Sequence, residues 1–271
     1  MPQSSGLKLA ISVSRAFGGA LVFSLPMLMT MELWDLGFTM ERSRLVLLLG
    51  ASFPLMMFLS HYSGFESTWG WKEDLRDVLI AYGVAIVTAT LVLLAFGVLH
   101  FGMGASEFLG KVAIQAVPGT LGALLARSQF GKESRDDEED DTLLGELGVM
   151  AAGALFLSLN VAPTEEMSLI AYKMTAYHTL ALVPVTLLIM HGFVYASEFT
   201  QRDRLHTTTL AALTAFLRFT VTGYALSLLV AAYLLWTFGH FDGLSFDQIV
   251  RVTIVLGLPA AVGAAAARLI L

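Results

Sequence analysis

The chain contains no cysteine, which excludes disulfides, thiolate metal centres and cysteine nucleophiles. Charge is scarce as well. Lys, Arg, Asp and Glu make up 14% of 271 residues, well below the share in an ordinary soluble domain. Much of the acidity sits in one block, because residues 132–141 (KESRDDEEDD) carry seven acids and two bases, a local net of −5 out of −6 overall. Such a run reads as a solvated linker, with calcium or a partner as the sharper alternative. Strand-like alternation is missing, which argues against a transmembrane barrel. The N-terminus (MPQSSGLKLAISVSR) shows no cleavage site after a short apolar core, so no removable signal peptide is expected. There is no phosphate-cradling glycine loop, no His-Glu-x-x-His zinc motif and no hydrolase elbow. An enzyme is therefore not expected, and nothing points to nucleic acid.

What the chain has instead is apolar length. Hydrophobic residues make up 56% of it, arranged in runs of about the 20 residues that a membrane-spanning helix needs. The runs predict an all-α polytopic membrane protein of eight spans, at about 17–36, 45–62, 78–99, 108–126, 151–170, 175–195, 219–239 and 249–271. Trp69 and Trp71 suit an interfacial belt.

The runs repeat. GALVFSLPMLMTMEL (residues 19–33) and GALFLSLNVAPTEEM (153–167) share Gly, Ala, Leu, Ser, Leu, Thr and Glu, so Glu32 recurs as Glu166, 134 positions on. Pro54 and His61 recur as Pro184 and His191 at 130 positions. Arg76, Tyr82, Phe96 and Gly97 recur as Arg218, Tyr224, Phe238 and Gly239 at 142. Pro118, Gly122, Ala126 and Arg127 recur as Pro259, Gly263, Ala267 and Arg268 at 141. Small loop insertions explain the drift. The chain is thus expected to be two four-helix repeats, 1–129 and 143–271, joined by the linker 130–142. An even number of spans per repeat predicts a parallel duplication about an axis along the membrane normal. On this register Arg218 marks the start of span seven, as Arg76 marks the start of span three.

Basic residues set the orientation. Lys8, Arg15, Lys72, Arg76, Arg127, Lys132, Arg135, Arg202, Arg204, Arg218 and Arg268 fall on one side, eleven in all. Arg42, Arg44, Lys111, Lys173 and Arg251 fall on the other, five in all. The richer side is expected to be cytoplasmic, with both termini there and the chain in the cytoplasmic membrane.

The candidate chemistry is carboxylate chemistry. Acids within an apolar span cost a few kcal/mol to insert and usually face a cavity or a partner. Glu32, Glu165 and Glu166, with Thr30, Thr164 and Asn160 as neutral oxygens, make a candidate cation site that a divalent metal would also suit. Crowded carboxylates of this kind can equally take up a proton. Pro163 has no N–H for the carbonyl of Leu159, so span five is expected to break there and leave that oxygen open. The competing reading places the same acids among lipid headgroups, simply hydrated. The expected partners are therefore the bilayer and a small inorganic cation or proton, in a transporter or channel. A homo-oligomer is left open.

A second reading uses histidine. His61 with His191, and His100 with His240, form repeat pairs that would suit bis-imidazole haem in an electron-transfer protein. His178 and His206 have no such partners. A third is a non-transporting scaffold or sensor working through the acidic linker. Small residues around Gly19, Gly122 and Gly263 are expected to pack helices closely.

GALLARSQ, NVAPTEEM and LPMLMTMELW resemble a family of bacterial multi-pass integral membrane proteins of unknown function. The resemblance covers most of both halves and implies the architecture, with no activity attached.

Overall fold

The computed structural model describes residues 5–62, 71–130, 143–201, 214 and 216–270. The acidic run 132–141, Trp69 and His206 lie outside them. All regular structure among the described residues is helical. It divides into two compact units, 1–140 and 141–271.

Unit 1 runs α1 (Ser5–Leu28), α2 (Met31–Thr39), α3 (Arg42–Tyr62), α4 (Trp71–Ala95) and α5 (Ala105–Phe130). Helix α5 is the hub against which α1, α2, α3 and α4 all pack. Every residue from 114 to 124 is buried, as expected of a helix that is apolar on all faces. Gly19 and Gly122 allow the backbones of α1 and α5 to meet. A Cβ on Gly19 would run into the Gly122 carbonyl and the Ala126 methyl. Leu28, Ala89, Leu93, Leu99 and Val112 form a buried cluster, with Trp34 and Val98 packed on its edge.

Unit 2 runs α6 (Leu143–Val161), α7 (Glu165–Lys173), α8 (Ala176–Gln201), a π-helical turn (Phe216–Val221), α9 (Thr222–Thr237) and α10 (Phe246–Ile270). Helix α10 is its hub, packing against α6, α7, α8 and α9. The close approach here is between Gly153 and Gly263, where a Cβ on Gly153 would meet the Gly263 carbonyl and the Ala267 methyl. Among the described residues, eight helices are long and apolar enough to cross a membrane. Val22, Val46, Leu79, Leu180, Leu188 and Leu229 on their outer faces are exposed, as lipid-facing side chains would be.

The structure corrects the expected first span. Residues 17–36 are not one helix, because α1 stops at Leu28 and α2 restarts at Met31. Pro26 lies inside α1 and the chain turns beyond it. Glu32 therefore belongs to a separate nine-residue helix, not to the last turn of a span. The fifth span breaks as expected, between Val161 and Glu165. Arg218 falls in the π-helical turn, directly before the span that begins at Phe219.

Candidate ion site

Both short helices are nine residues long and start behind an extended threonine, Thr30 (ψ 113°) or Thr164 (ψ 145°). Carboxylates occupy the first turn, where the helix dipole favours negative charge: Glu32 in α2, Glu165 and Glu166 in α7. Glu32 and Glu166 are each the second residue of their helix. Each short helix buries an i, i+4 pair, Leu33 with Gly37 and Met167 with Ala171. This anchors one face and leaves Glu165 and Glu166 exposed and Glu32 half-buried. Among the described residues, no three His, Asp or Glu side chains are grouped so as to hold a metal ion.

The neutral oxygens mostly serve the helix ends. Thr30 Oγ1 donates to the Pro26 carbonyl at 2.7 Å, and Thr164 Oγ1 to the Val161 carbonyl at 2.8 Å. Asn160 Nδ2 turns back onto the Phe156 carbonyl at 2.8 Å. Pro163 is buried in the break and withholds a donor from the Leu159 carbonyl. The far ends of the short helices are closed by cations. Arg42 Nη1 donates to the Gly37 carbonyl and Arg251 Nη1 to the Met174 carbonyl, each at 3.1 Å.

The histidines occupy unlike places. His61 Nδ1 lies 3.0 Å from Asp74 Oδ2, tying the end of α3 to the first turn of α4. His191 Nδ1 lies 3.2 Å from Thr220 Oγ1 and its ring meets Phe216 edge-on, tying α8 to the π-helical turn. His178 joins Thr175 at the start of α8.

The pairing of His100 with His240 does not hold in the backbone. α4 and α9 end in the same glycine turn. Gly97 (φ +72°) donates to Leu94 and Val98 to Leu93, while Gly239 (φ +83°) donates to Trp236 and His240 to Leu235. In this turn His240 stands where unit 1 has Val98, and His100 follows two residues later, exposed. His240 is half-buried and its Nε2 is cut off from solvent without a hydrogen-bond partner. Burial lowers its pKa below the usual imidazole value, opposed by the nearby Ala162 backbone and by the charge of Glu165. The imidazole thus lies near enough to the α6–α7 break for Ala162 and Glu165 to bear on its charge.

Contacts made by four side chains escaped the sequence reading. Gln115 donates from Nε2 to the Met27 carbonyl at 3.1 Å, and Trp34 from Nε1 to the Leu28 carbonyl at 2.8 Å. Lys111, nearly buried, pairs with Glu107 at 2.8 Å. Arg268 pairs with Glu146 at 3.6 Å and lies 3.8 Å over the Phe219 ring. The lone glutamine in the apolar run KVAIQAVPG was a usable signal, since an amide within a span needs a partner.

Eight apolar helices, with breaks after the first and fifth of them, define a polytopic α-helical membrane protein. Residues 12–271 match the family described as "Putative integral membrane protein (DUF2391)". The chain belongs to that family. Neither the curated proteins nor the solved structures contain a match.

Proposed function

We propose that this protein moves a proton or small cation across the cytoplasmic membrane, with Glu32, Glu165 and Glu166 as the acids that receive it. One observation carries the reading: in each unit the first membrane helix stops and a short helix restarts with carboxylates in its opening turn. Transporters use such discontinuous helices to bring charged groups and freed backbone to an ion. The two units are read as copies of one ancestral four-span bundle, with the termini in the cytoplasm. A doubled bundle favours a transporter over a channel, because one half can rock against the other.

The test is ion and proton flux into proteoliposomes, across pH, for wild type and Glu32→Gln/Glu166→Gln. Loss of flux in the double variant, with flux retained after deletion of residues 133–141, supports the reading. Undiminished flux in the double variant overturns the role of the acids. Wild type that carries no ion overturns transport altogether.

A further inference from the structure

The π-helical turn of unit 2 has an α-helical counterpart in unit 1. Phe216–Val221 stand ahead of Tyr224 as residues 74–79 stand ahead of Tyr82, at the offset of 142. There α4 runs as one α-helix from Trp71 to Ala95. One stretch of a shared plan thus takes two registers. A π turn closes from i to i+5 and holds about one residue more than an α turn, and such turns are rare and recur at functional sites.

Side chains from three other helices bear on the wide turn. Thr222 Oγ1 donates to the Leu217 carbonyl, five residues back, at 3.1 Å. His191 on α8 places Nδ1 3.2 Å from Thr220 Oγ1 and meets the Phe216 ring edge-on. Arg268 on α10 lies 3.8 Å over the Phe219 ring, and Glu146 on α6 steadies it at 3.6 Å. Where these contacts use Thr222, Thr220 and Phe219, unit 1 has Ile80, Val78 and Asp77.

The packing beneath the turn is soft. Gly223 follows it directly and is buried, and a Cβ there would strike the terminal methyls of Met150 on α6 and Met190 on α8. Both methionines are fully buried. The repeat offsets of 134, 130 and 142 put Ala16, Ser60 and Ala81 in these three places in unit 1, all buried. Thioether ends re-pack into gaps of changing shape, which an alanine or serine cannot do. Unit 2 has therefore exchanged three small side chains for two adaptable ones and a glycine, at the one turn that leaves the α register.

We infer that Phe216–Val221 is a register switch: unit 2 passes between this π turn and the continuous α-helix that unit 1 has there, with Arg268, His191 and Thr222 as the catch. In the α register the extra residue is taken into the helix. The chain ahead of the turn then rotates by about 100° around α9 and shifts by about 1.5 Å along it. Thr220 leaves His191, and Phe219 leaves Arg268, which keeps Glu146. Arg218 lies in the turn, so a charge at the edge of the span moves with the register. The switch needs no ion and does not rest on the transport reading.

Electron-resonance distance measurement on the full-length protein in lipid nanodiscs tests it. Native cysteine is absent, so Thr214→Cys/Leu229→Cys carries spin labels at two exposed positions, one ahead of the turn and one beyond it. Two separations are expected, the longer near about 22 Å, the rise of a straight helix over fifteen residues. Deleting Val221, which removes the extra residue, is expected to leave one. Arg268→Gln is expected to raise the share of the longer separation severalfold through loss of the cation–π contact. Thr222→Val is expected to do the same, and serves if Arg268→Gln does not fold. A single separation before the deletion overturns the switch. So do two separations that survive the deletion, or shares that neither substitution moves.

Discussion

Arg251 Nη1 lies 3.1 Å from the carbonyl of Met174, so a side chain of α10 closes a helix that ended 77 positions earlier. The same guanidinium pairs with Asp247 at 2.8 Å, which fixes its direction. In unit 1, Arg42 does this for Gly37 from the start of α3. A cation at a helix C-terminus meets both the spare carbonyls and the negative end of the dipole.

Arg251→Ala is accordingly expected to lower stability by about 1 kcal/mol, since the side chain is only 25% exposed. Arg251→Lys should recover part of the loss, because charge survives while the fork geometry does not. Thermal unfolding in detergent checks both. A Tm for Arg251→Ala equal to wild type would remove the capping role.

Neighbouring glycines give a controlled comparison. A Cβ at Gly18 would meet nothing within 4 Å, whereas at Gly19 it would strike the α5 backbone at Gly122. Gly19→Ala is expected to destabilise by about 1–3 kcal/mol through overpacking, and Gly18→Ala to be near neutral or slightly stabilising. Gly153→Ala in unit 2 should match Gly19→Ala, since Gly263 stands in the same relation to it. Denaturation of the single variants, run side by side, decides the point.

Pro163→Ala should fuse α6 and α7. Alanine restores an N–H to the Leu159 carbonyl and removes the ring that blocks helical continuation. With no native cysteine, Leu157→Cys/Leu169→Cys can be spin-labelled without background. The measured separation is expected to lengthen toward about 18 Å, the rise of a straight helix over twelve residues. An unchanged distance would mean that something other than the proline keeps the break.

His240 fixes the sign of one pH effect. Its pKa is lowered in the fold, chiefly by burial, so the unfolded chain binds the proton more readily. Stability from this group is therefore fully present above the ordinary value of 6.5. It is lost as pH falls from there through the lowered value. His240→Val, the residue unit 1 uses at this turn, should flatten the pH dependence of Tm across that window relative to wild type. A steeper fall in the variant would contradict the assignment.

The spans were legible in the sequence because each is apolar over its whole length, and hydropathy needs nothing else. The break after Val161 was legible too, through Pro163 in front of Thr-Glu-Glu. The break after Leu28 was not. Both of its flanks are apolar, and Pro26 sits inside α1. Its end is closed partly by Gln115, 88 positions away, a relation that no local pattern contains. The setting of Glu32 was not legible: it opens a short helix instead of closing a long one. The histidine order suggested a match between His100 and His240 that the glycine turns, counted residue by residue, do not keep.

Those two turns carry unequal loads. Behind Gly97 a valine grips the Leu28 and Leu93 cluster and holds at any acidity. Behind Gly239 the grip is an imidazole that weakens once charged. Of these two turns, the one in unit 2 would thus slacken when its surroundings turn sour, while the one in unit 1 keeps its hold.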